Sequence, residues 1–476
     1  MTSGRPAYDG STGRWRHREV RGVPLREGRA TIAASPGSQF MSGGVMDQEE
    51  VAMVTPDSDS AVLDEPTRSG ANQYDLGSFN EAVIIETIRL AGIISRTEIS
   101  RRTGLTQQSV SRILRILLQQ GLLVEEKQER AERLGKPRTP VRLRSNAAHA
   151  VGIHIDPELL TVAVVDLDGA IVRRETVDLP ADLDALRLVD LAAATVSAAL
   201  SISQVDIESM LGVGVAVPGP INADGTLLDL PLQPAWRGLE IRHLLQGKLN
   251  HPVLVEKDGT AAAIGERWIG RSARARDFAY LYLGTGVGSG LILNGSIYRG
   301  LTANAGEFGQ LCALRMGEWD QQGGPRMMAE CNPTASLPVI AAGFGYVETD
   351  AQATDEAKRY KAVCKAAASG DEAAQKAVTQ VASVIAQGAV GLVDLLDIDL
   401  IVLGGPAFDK TIADVFLSEI SRAVNSHPIA RGTRTVAVEE SMLQADAAAI
   451  GAASTIFHDA FTPRVGGSSQ ARRLPK

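Results

Sequence analysis

The sequence predicts a small α+β domain followed by a larger α/β body built from two similar lobes. Three observations carry this reading. A helix-patterned module over residues 76–145 ends in two short apolar runs around a charged loop. From His149 onward, strand-like runs alternate with helical ones, the pattern of sheets joined by crossovers. Within that body, the strand–turn–strand unit "AVGIHIDPELLTVAVVDL" has a counterpart in "FAYLYLGTGVGSGLILNGSIYRG".

Composition narrows the functional classes. The chain has 476 residues, enough for two or three domains, with 44% hydrophobic and 22% charged residues, an ordinary globular balance. Its three cysteines, Cys312, Cys331 and Cys364, are too few and too scattered for a disulfide framework or a zinc cluster. No unbroken run of eighteen apolar residues is present, which argues against a membrane partner. A reducing cytoplasm is the expected location. The net charge of −8 hides an asymmetry. Ser78–Ser145 contains 13 Lys and Arg against 7 Asp and Glu, a net of +6 that leaves −14 for the rest. Attraction to a polyanion is thereby confined to one module.

Residues 1–75 are rich in Gly, Ser, Pro, Arg and Asp without helical or strand period, and are expected to be a disordered extension. Met41 or Met46 is an alternative start to Met1. Residues 463–476 are expected to form a flexible tail.

The basic module divides into three helices. "NEAVIIETIRLAG" places Ile84 and Ile88 one turn apart, with Asn80 as the expected N-cap. The second helix starts at "SRTE", where Ser95 and Glu98 have capping-box spacing, and stops at Gly104. "TQQSVSRILRILLQQG" has Thr106 as N-cap and Gly121 as stop, with Val110, Ile113, Leu114, Leu117 and Leu118 forming one buried stripe. A three-residue turn containing glycine before this helix is the helix-turn-helix arrangement. Thr106, Gln107, Gln108, Ser109, Ser111 and Arg112 at its N-terminal end are residue types that bond base edges and phosphates, so a double-stranded DNA operator is the expected partner. "LLVEEKQERAERLGKPRTPVRLRS" predicts a wing of two strands. Its "GKPR" stretch resembles the short hook that enters A·T-rich minor grooves, with Lys136 and Arg138 as inserted charges.

In the body, paired hairpins separated by helices are how a two-lobed, actin-like (ribonuclease-H-like) sugar-kinase fold is built. "VAVPGPIN", "VEKDGTAAAIGERWIG", "LGTGVGSGLILNGSIYRG", "NAGEFGQL" and "LIVLGGPA" follow in one order. With these segments, residues 149–462 resemble the ROK family (repressor, open reading frame, kinase), and the whole resembles members with an N-terminal winged helix-turn-helix. The resemblance implies either an ATP-dependent sugar kinase or a regulator that binds a sugar or sugar derivative and changes its grip on DNA. It also implies a homodimer or higher homo-oligomer.

Departures from the family pattern favour the regulator. Family kinases carry Asp and Gly-Gly-Thr at the first hairpin turn, where bare backbone N–H groups wrap phosphates. Here those positions read His154 and Asp156-Pro157-Glu158. Proline donates no N–H. A carboxylate about 4 Å from a phosphate charge repels it by about 4 kcal/mol at an effective dielectric near 20. The expected protein is therefore a repressor of carbohydrate-utilisation genes, with no enzymatic activity and no cofactor. The glycines of "LGTGVGSG" are then kept for a tight turn. The alternatives are an ATP-dependent sugar kinase with a DNA-binding appendage, and a degenerate sensor that binds a protein partner.

The resemblance carries sugar-side roles onto Gly219, Lys257, Asp258, Glu307, Gln310 and Glu330. Asp258 occupies the place of the kinases' general base, and Lys257 replaces their neutral Asn. Gln310 replaces the His that joins a cysteine-rich zinc loop, and Cys331 alone remains nearby, so no metal site is expected. Two accounts of Lys257 stay open. It pairs with Asp258 and closes the pocket, or it receives an anionic group while Glu307 and Glu330 hold hydroxyls.

Overall fold

The computed structural model describes residues 8–9, 14–15, 73–126, 139–180, 182–228, 233–270, 276–348 and 355–462. The chain separates into units 1–67 and 68–476. In the first, β1 (Tyr8–Asp9) pairs antiparallel with β2 (Arg14–Trp15). The disorder expected of residues 1–75 otherwise lies outside the described residues, apart from the start of the first helix. The expected tail, 463–476, lies outside them too.

The second unit opens with α1 (Gln73–Ala91), α2 (Arg96–Thr103) and α3 (Gln107–Gln119), then β3 (Leu123–Glu125) and β4 (Val141–Leu143). Asn80 is not an N-cap: it lies inside α1, which starts seven residues earlier at Gln73. The other start and stop residues stand where expected. Ser95 caps α2 through the Glu98 N–H, but Glu98 does not complete the box, because Arg101 and Arg102 take its carboxylate. Thr106 caps α3 through the Ser109 N–H at 3.2 Å. Gly121 ends it with φ 76°, while Leu122 N–H reaches Leu117 O at 3.0 Å, a Schellman stop. Val110, Ile113, Leu114 and Leu117 are buried and Leu118 half-buried, which fixes the face α3 turns outward. β3 and β4 pair antiparallel, and Ile94 bridges Val141, giving the wing its base.

The body repeats one plan twice. In lobe 1, β5 (His149–Ile155), β6 (Leu159–Asp166) and β7 (Ile171–Asp178) form an antiparallel meander, and β8 (Met210–Val217) and β9 (Val253–Lys257) extend it in parallel, in the order β7-β6-β5-β8-β9. Lobe 2 has β10 (Phe278–Leu283), β11 (Val287–Leu293), β12 (Ser296–Tyr298), β13 (Leu400–Gly404) and β14 (Ala437–Glu440), in the matching order β12-β11-β10-β13-β14. The helices are α4 (Ala185–Ser203) and α5 (Ile241–Leu249), α6 (Asp258–Ile269), α7 (Phe308–Met316), α8 (Pro333–Gly343), α9 (Glu356–Ala368), α10 (Glu372–Leu396), α11 (Ala413–Ser426) and α12 (Ala447–Phe461). α4 and α10 are long and apolar enough to cross a membrane by length and composition alone, despite the missing apolar run. Both place a face in a protein core: Leu188, Ala192 and Val196 in lobe 1, and Val378, Val381 and Ile385 in lobe 2.

α6 and α12 cross at the centre with their backbones nearly touching. A Cβ on Gly451 would sit 1.8 Å from the Ala261 carbonyl oxygen, so only glycine fits. The core of the helical module runs into this seam: Ile88, Val110 and Leu114 share one apolar cluster with Trp268 of α6 and Phe457 of α12. Trp268 stacks on Phe457 at 5.7 Å. Replacing Gly451 with Ala should force the helices apart and cost at least about 1–3 kcal/mol, the usual range for overpacking. A thermal melt should show a fall of several degrees, and an unchanged melt would contradict this packing.

Candidate functional site

Each lobe contributes one hairpin turn to a common cleft. The first, Asp156–Leu159 between β5 and β6, is closed by Asp156 N–H to Leu159 O at 2.9 Å. The second, Gly284–Gly286 between β10 and β11, is closed by Gly284 N–H to Gly286 O at 2.8 Å. The turns meet through Asp156, whose Oδ2 accepts from Thr285 Oγ1 at 3.4 Å. Glu158 follows in the same turn, its N–H donating to Asp156 Oδ1 at 3.4 Å, with its side chain exposed and close to Asp355 and Glu356. Beneath the turns, the Tyr282 hydroxyl and His154 Nε2 share a 3.1 Å hydrogen bond. Burial pushes the His154 pKa down to about 4 and raises Tyr282 well above its ordinary value, so the pair is neutral at physiological pH.

Within the glycine-rich run, Gly290 is required by packing. A Cβ on Gly290 would lie 2.1 Å from the Gly259 carbonyl oxygen, in the first turn of α6. β11 thus presses directly on the helix that begins with Asp258.

Lys257 ends β9, and its side chain is only 5% exposed. Its stem packs on Gly219, where a Cβ would come within 3.0 Å of the Lys257 Cδ. Its ammonium donates to Asn304 O at 3.2 Å, Ala305 O at 3.1 Å and Glu307 Oε1 at 2.5 Å. An ammonium has three protons, and all three are engaged. Pairing between Lys257 and Asp258 is therefore corrected to pairing between Lys257 and Glu307, and no proton is left over for an anionic ligand in this arrangement. The loop supplying these acceptors is itself clamped. Asn304 Oδ1 accepts from Ile221 N–H at 2.9 Å and its Nδ2 donates to Ile221 O at 2.7 Å. Sequence reasoning missed Asn304, although it sits inside the quoted "NAGEFGQL".

Asp258, the first residue of α6, accepts from Gly259 N–H at 2.6 Å. Burial pushes its pKa up to about 7, with Asp156 and Glu307 adding repulsion against the opposing pull of Lys257. Burial likewise raises Asp156 to about 6. The Glu307 side chain is 55% exposed, and Gln310 is exposed on the first turn of α7. Glu330 is buried in a single 3-10 turn and accepts from Gln380 Nε2 of α10 at 2.7 Å. Gly219 and Glu307 thus both contact Lys257, with Asp258 beside it, and Asp156 is near enough to act on Asp258. In the loop that leads to Glu330, Asp320 organises the turn, its Oδ1 accepting from Gln322 and Gly324 N–H. A separate cavity of about 520 Å³, lined by Asn222, Arg242, Glu256, Arg299 and His458 among others, contains none of the six carried-over residues.

On α3, Thr106, Gln107, Gln108 and Arg112 are exposed, and Ser109 and Ser111 are half-buried. Thr106 and Ser109 bond each other in the cap, at 3.0 Å between hydroxyls. Lys136 and Arg138 lie outside the described residues.

Residues 150–459 match the ROK family model, about two thirds of the chain. The chain belongs to the ROK family. Residues 82–134 match the MarR family model, so this ROK member carries a MarR-type winged helix domain at its N-terminal side. A xylose repressor of Caldicellulosiruptor bescii is 24% identical over 396 residues, 82% of this chain and 98% of that protein. The crystal structure of a ROK family transcriptional regulator, described as a homolog of E. coli MLC protein, superposes with a TM-score of 0.64 at 19% identity, covering 81% of this chain and 97% of that one. A ROK family glucokinase from Streptomyces griseus, in complex with glucose and AMPPNP, gives 0.54 at 23% identity, covering 65% and 99%. These structures share the fold.

The buried carboxyl of Asp258 makes a pH prediction. Below about pH 4 it is protonated folded and unfolded, and costs nothing. As pH rises, the unfolded chain ionises first, so the folded state loses stability until about pH 7, and the loss is constant above. Asp258→Asn should therefore raise the melting temperature more at pH 8 than at pH 5. An equal gain at both would contradict the shifted titration.

Proposed function

We propose that this chain is a DNA-binding transcriptional regulator, a repressor of carbohydrate-utilisation genes that responds to a sugar or sugar derivative in the cleft between its lobes. One observation carries this reading: a single helix spans from the cleft to the DNA-binding module. α6 starts at Asp258 and, over 12 residues, or about 18 Å at 1.5 Å per residue, reaches Arg267 and Trp268. There Arg89 of α1 donates to the Arg267 carbonyl at 3.2 Å and to the Trp268 carbonyl, and lies over the Trp268 ring at 4.6 Å. Glu86 pairs with Arg89 at 2.8 Å and Arg267 at 3.1 Å. Burial raises the Glu86 pKa, but the two guanidiniums outweigh it and hold the carboxyl below its ordinary value, so the contact is ionic at neutral pH. A shift of α6 on sugar binding would reach α1 directly.

The kinase alternative is disfavoured by Asp156, which stands against the second turn where a kinase needs room and positive potential for phosphate. The xylose repressor among its relatives supports the regulator. Working on DNA implies a cytoplasmic site of action. The proposed domains are an N-terminal extension, a winged helix-turn-helix to Ser145, and the sensor body from His149 to Thr462. Incubation with ATP and a sugar panel should give no turnover, while the same sugars should change the affinity for DNA upstream of carbohydrate genes. Turnover with any sugar would favour the kinase.

DNA recognition is assigned to Gln108, Ser111 and Arg112, with Lys136 and Arg138 entering the minor groove beside them. Arg112→Ala should weaken operator binding by about 1–3 kcal/mol and relax base preference at one position. A uniform loss over all sequences would make Arg112 a phosphate contact. Assembly as a homodimer places half-sites about 34–36 Å apart, and footprinting that showed a single half-site would contradict the dimer.

A further inference from the structure

Resting on the sugar-responsive reading of the cleft, we propose that Asp156 is the residue that sets which sugars are accepted, taking a hydrogen bond from a sugar hydroxyl beside the second hairpin turn and rejecting a phosphate at that position. The placement of the carboxylate is the first argument. A Cβ on Gly284 would lie 3.7 Å from Asp156 Oδ2, and Thr285 Oγ1 donates to that oxygen at 3.4 Å, so the carboxylate stands against the turn that a kinase would use for phosphate.

The charge balance is the second. Burial, with Asp258 and Asp156 adding repulsion, raises the Tyr282 pKa and keeps its hydroxyl un-ionised, so both acids act on the same buried ring while Asp156 bonds Thr285 of the turn beside it. Glu307 is, with Asp156, the second carboxylate that acts on Asp258. Lys257 is the cation among them, and its three protons are held by Asn304 O, Ala305 O and Glu307. The cleft therefore offers acceptors and repels anions. A hydroxyl donating to a carboxylate is a charge-assisted bond that suits a neutral sugar.

Direct binding by calorimetry tests this with glucose, xylose and N-acetylglucosamine, each beside its terminal phosphate ester. The wild type should prefer an unphosphorylated sugar by tenfold or more. Asp156→Asn keeps the shape and removes the charge, and should reduce that preference roughly ten- to hundredfold, the range of a bond to a charged group. Asp156→Gly restores the residue that family kinases carry and should admit the phosphate ester. Thermal melts of both variants check that they fold. Equal binding of sugar and ester by the wild type, or a preference unchanged in both variants, overturns the role of Asp156 while leaving the sugar-sensing reading intact. Binding of none of the six compounds overturns both.

Discussion

The close crossing of α6 and α12 is the constraint on which the rest of the structure depends. Glycine and alanine let the two backbones touch, and a methyl group at Gly451 would already collide with the Ala261 carbonyl. Packing this tight transmits displacement rather than absorbing it. α6 also carries chemistry at both ends. Asp258 opens it in the cleft, and Arg267 and Trp268 close it under Arg89 of the DNA-binding module. A helix held along its length and bonded at both ends physically joins the cleft to the helical module, as the proposed coupling requires.

Electrostatics give the cleft its character. A phosphate-transfer site concentrates N–H donors and cations, whereas this one concentrates carboxylates. Asp156 reaches Thr285 of the opposite lobe. Lys257 looks in sequence like a cation added for an anionic ligand. In the fold it is an internal fastener that joins β9 to the Asn304–Glu307 loop, and Asn304 in turn joins that loop to Ile221. The added charge stiffens the wall of the site.

Much of this was legible in the sequence because it was local. Caps at Ser95 and Thr106, the stop at Gly121 and the apolar stripe of α3 are set by neighbours within a few residues, and all stand where the pattern put them. The repeated hairpins were legible as strand periodicity. Asn80 was misread because α1 extends seven residues upstream through Gly77, a residue that propensity alone disfavours in a helix. The partners of Lys257, the bridge from Asp156 to Thr285 and the seat of Arg89 on Trp268 were not legible. They join positions 50, 129 and 179 residues apart, and spacing says nothing at that range.

The central claim is that sugar in the cleft and operator on α3 are coupled through α6 and Arg89. Arg89→Leu keeps an apolar side chain against Trp268 and removes the hydrogen bonds to α6. The decisive measurement is the ratio of operator affinities with and without saturating sugar, for wild type and variant, at one salt concentration. The account predicts that the variant still binds both operator and sugar but that its ratio falls toward one. A ratio equal to that of the wild type would contradict it.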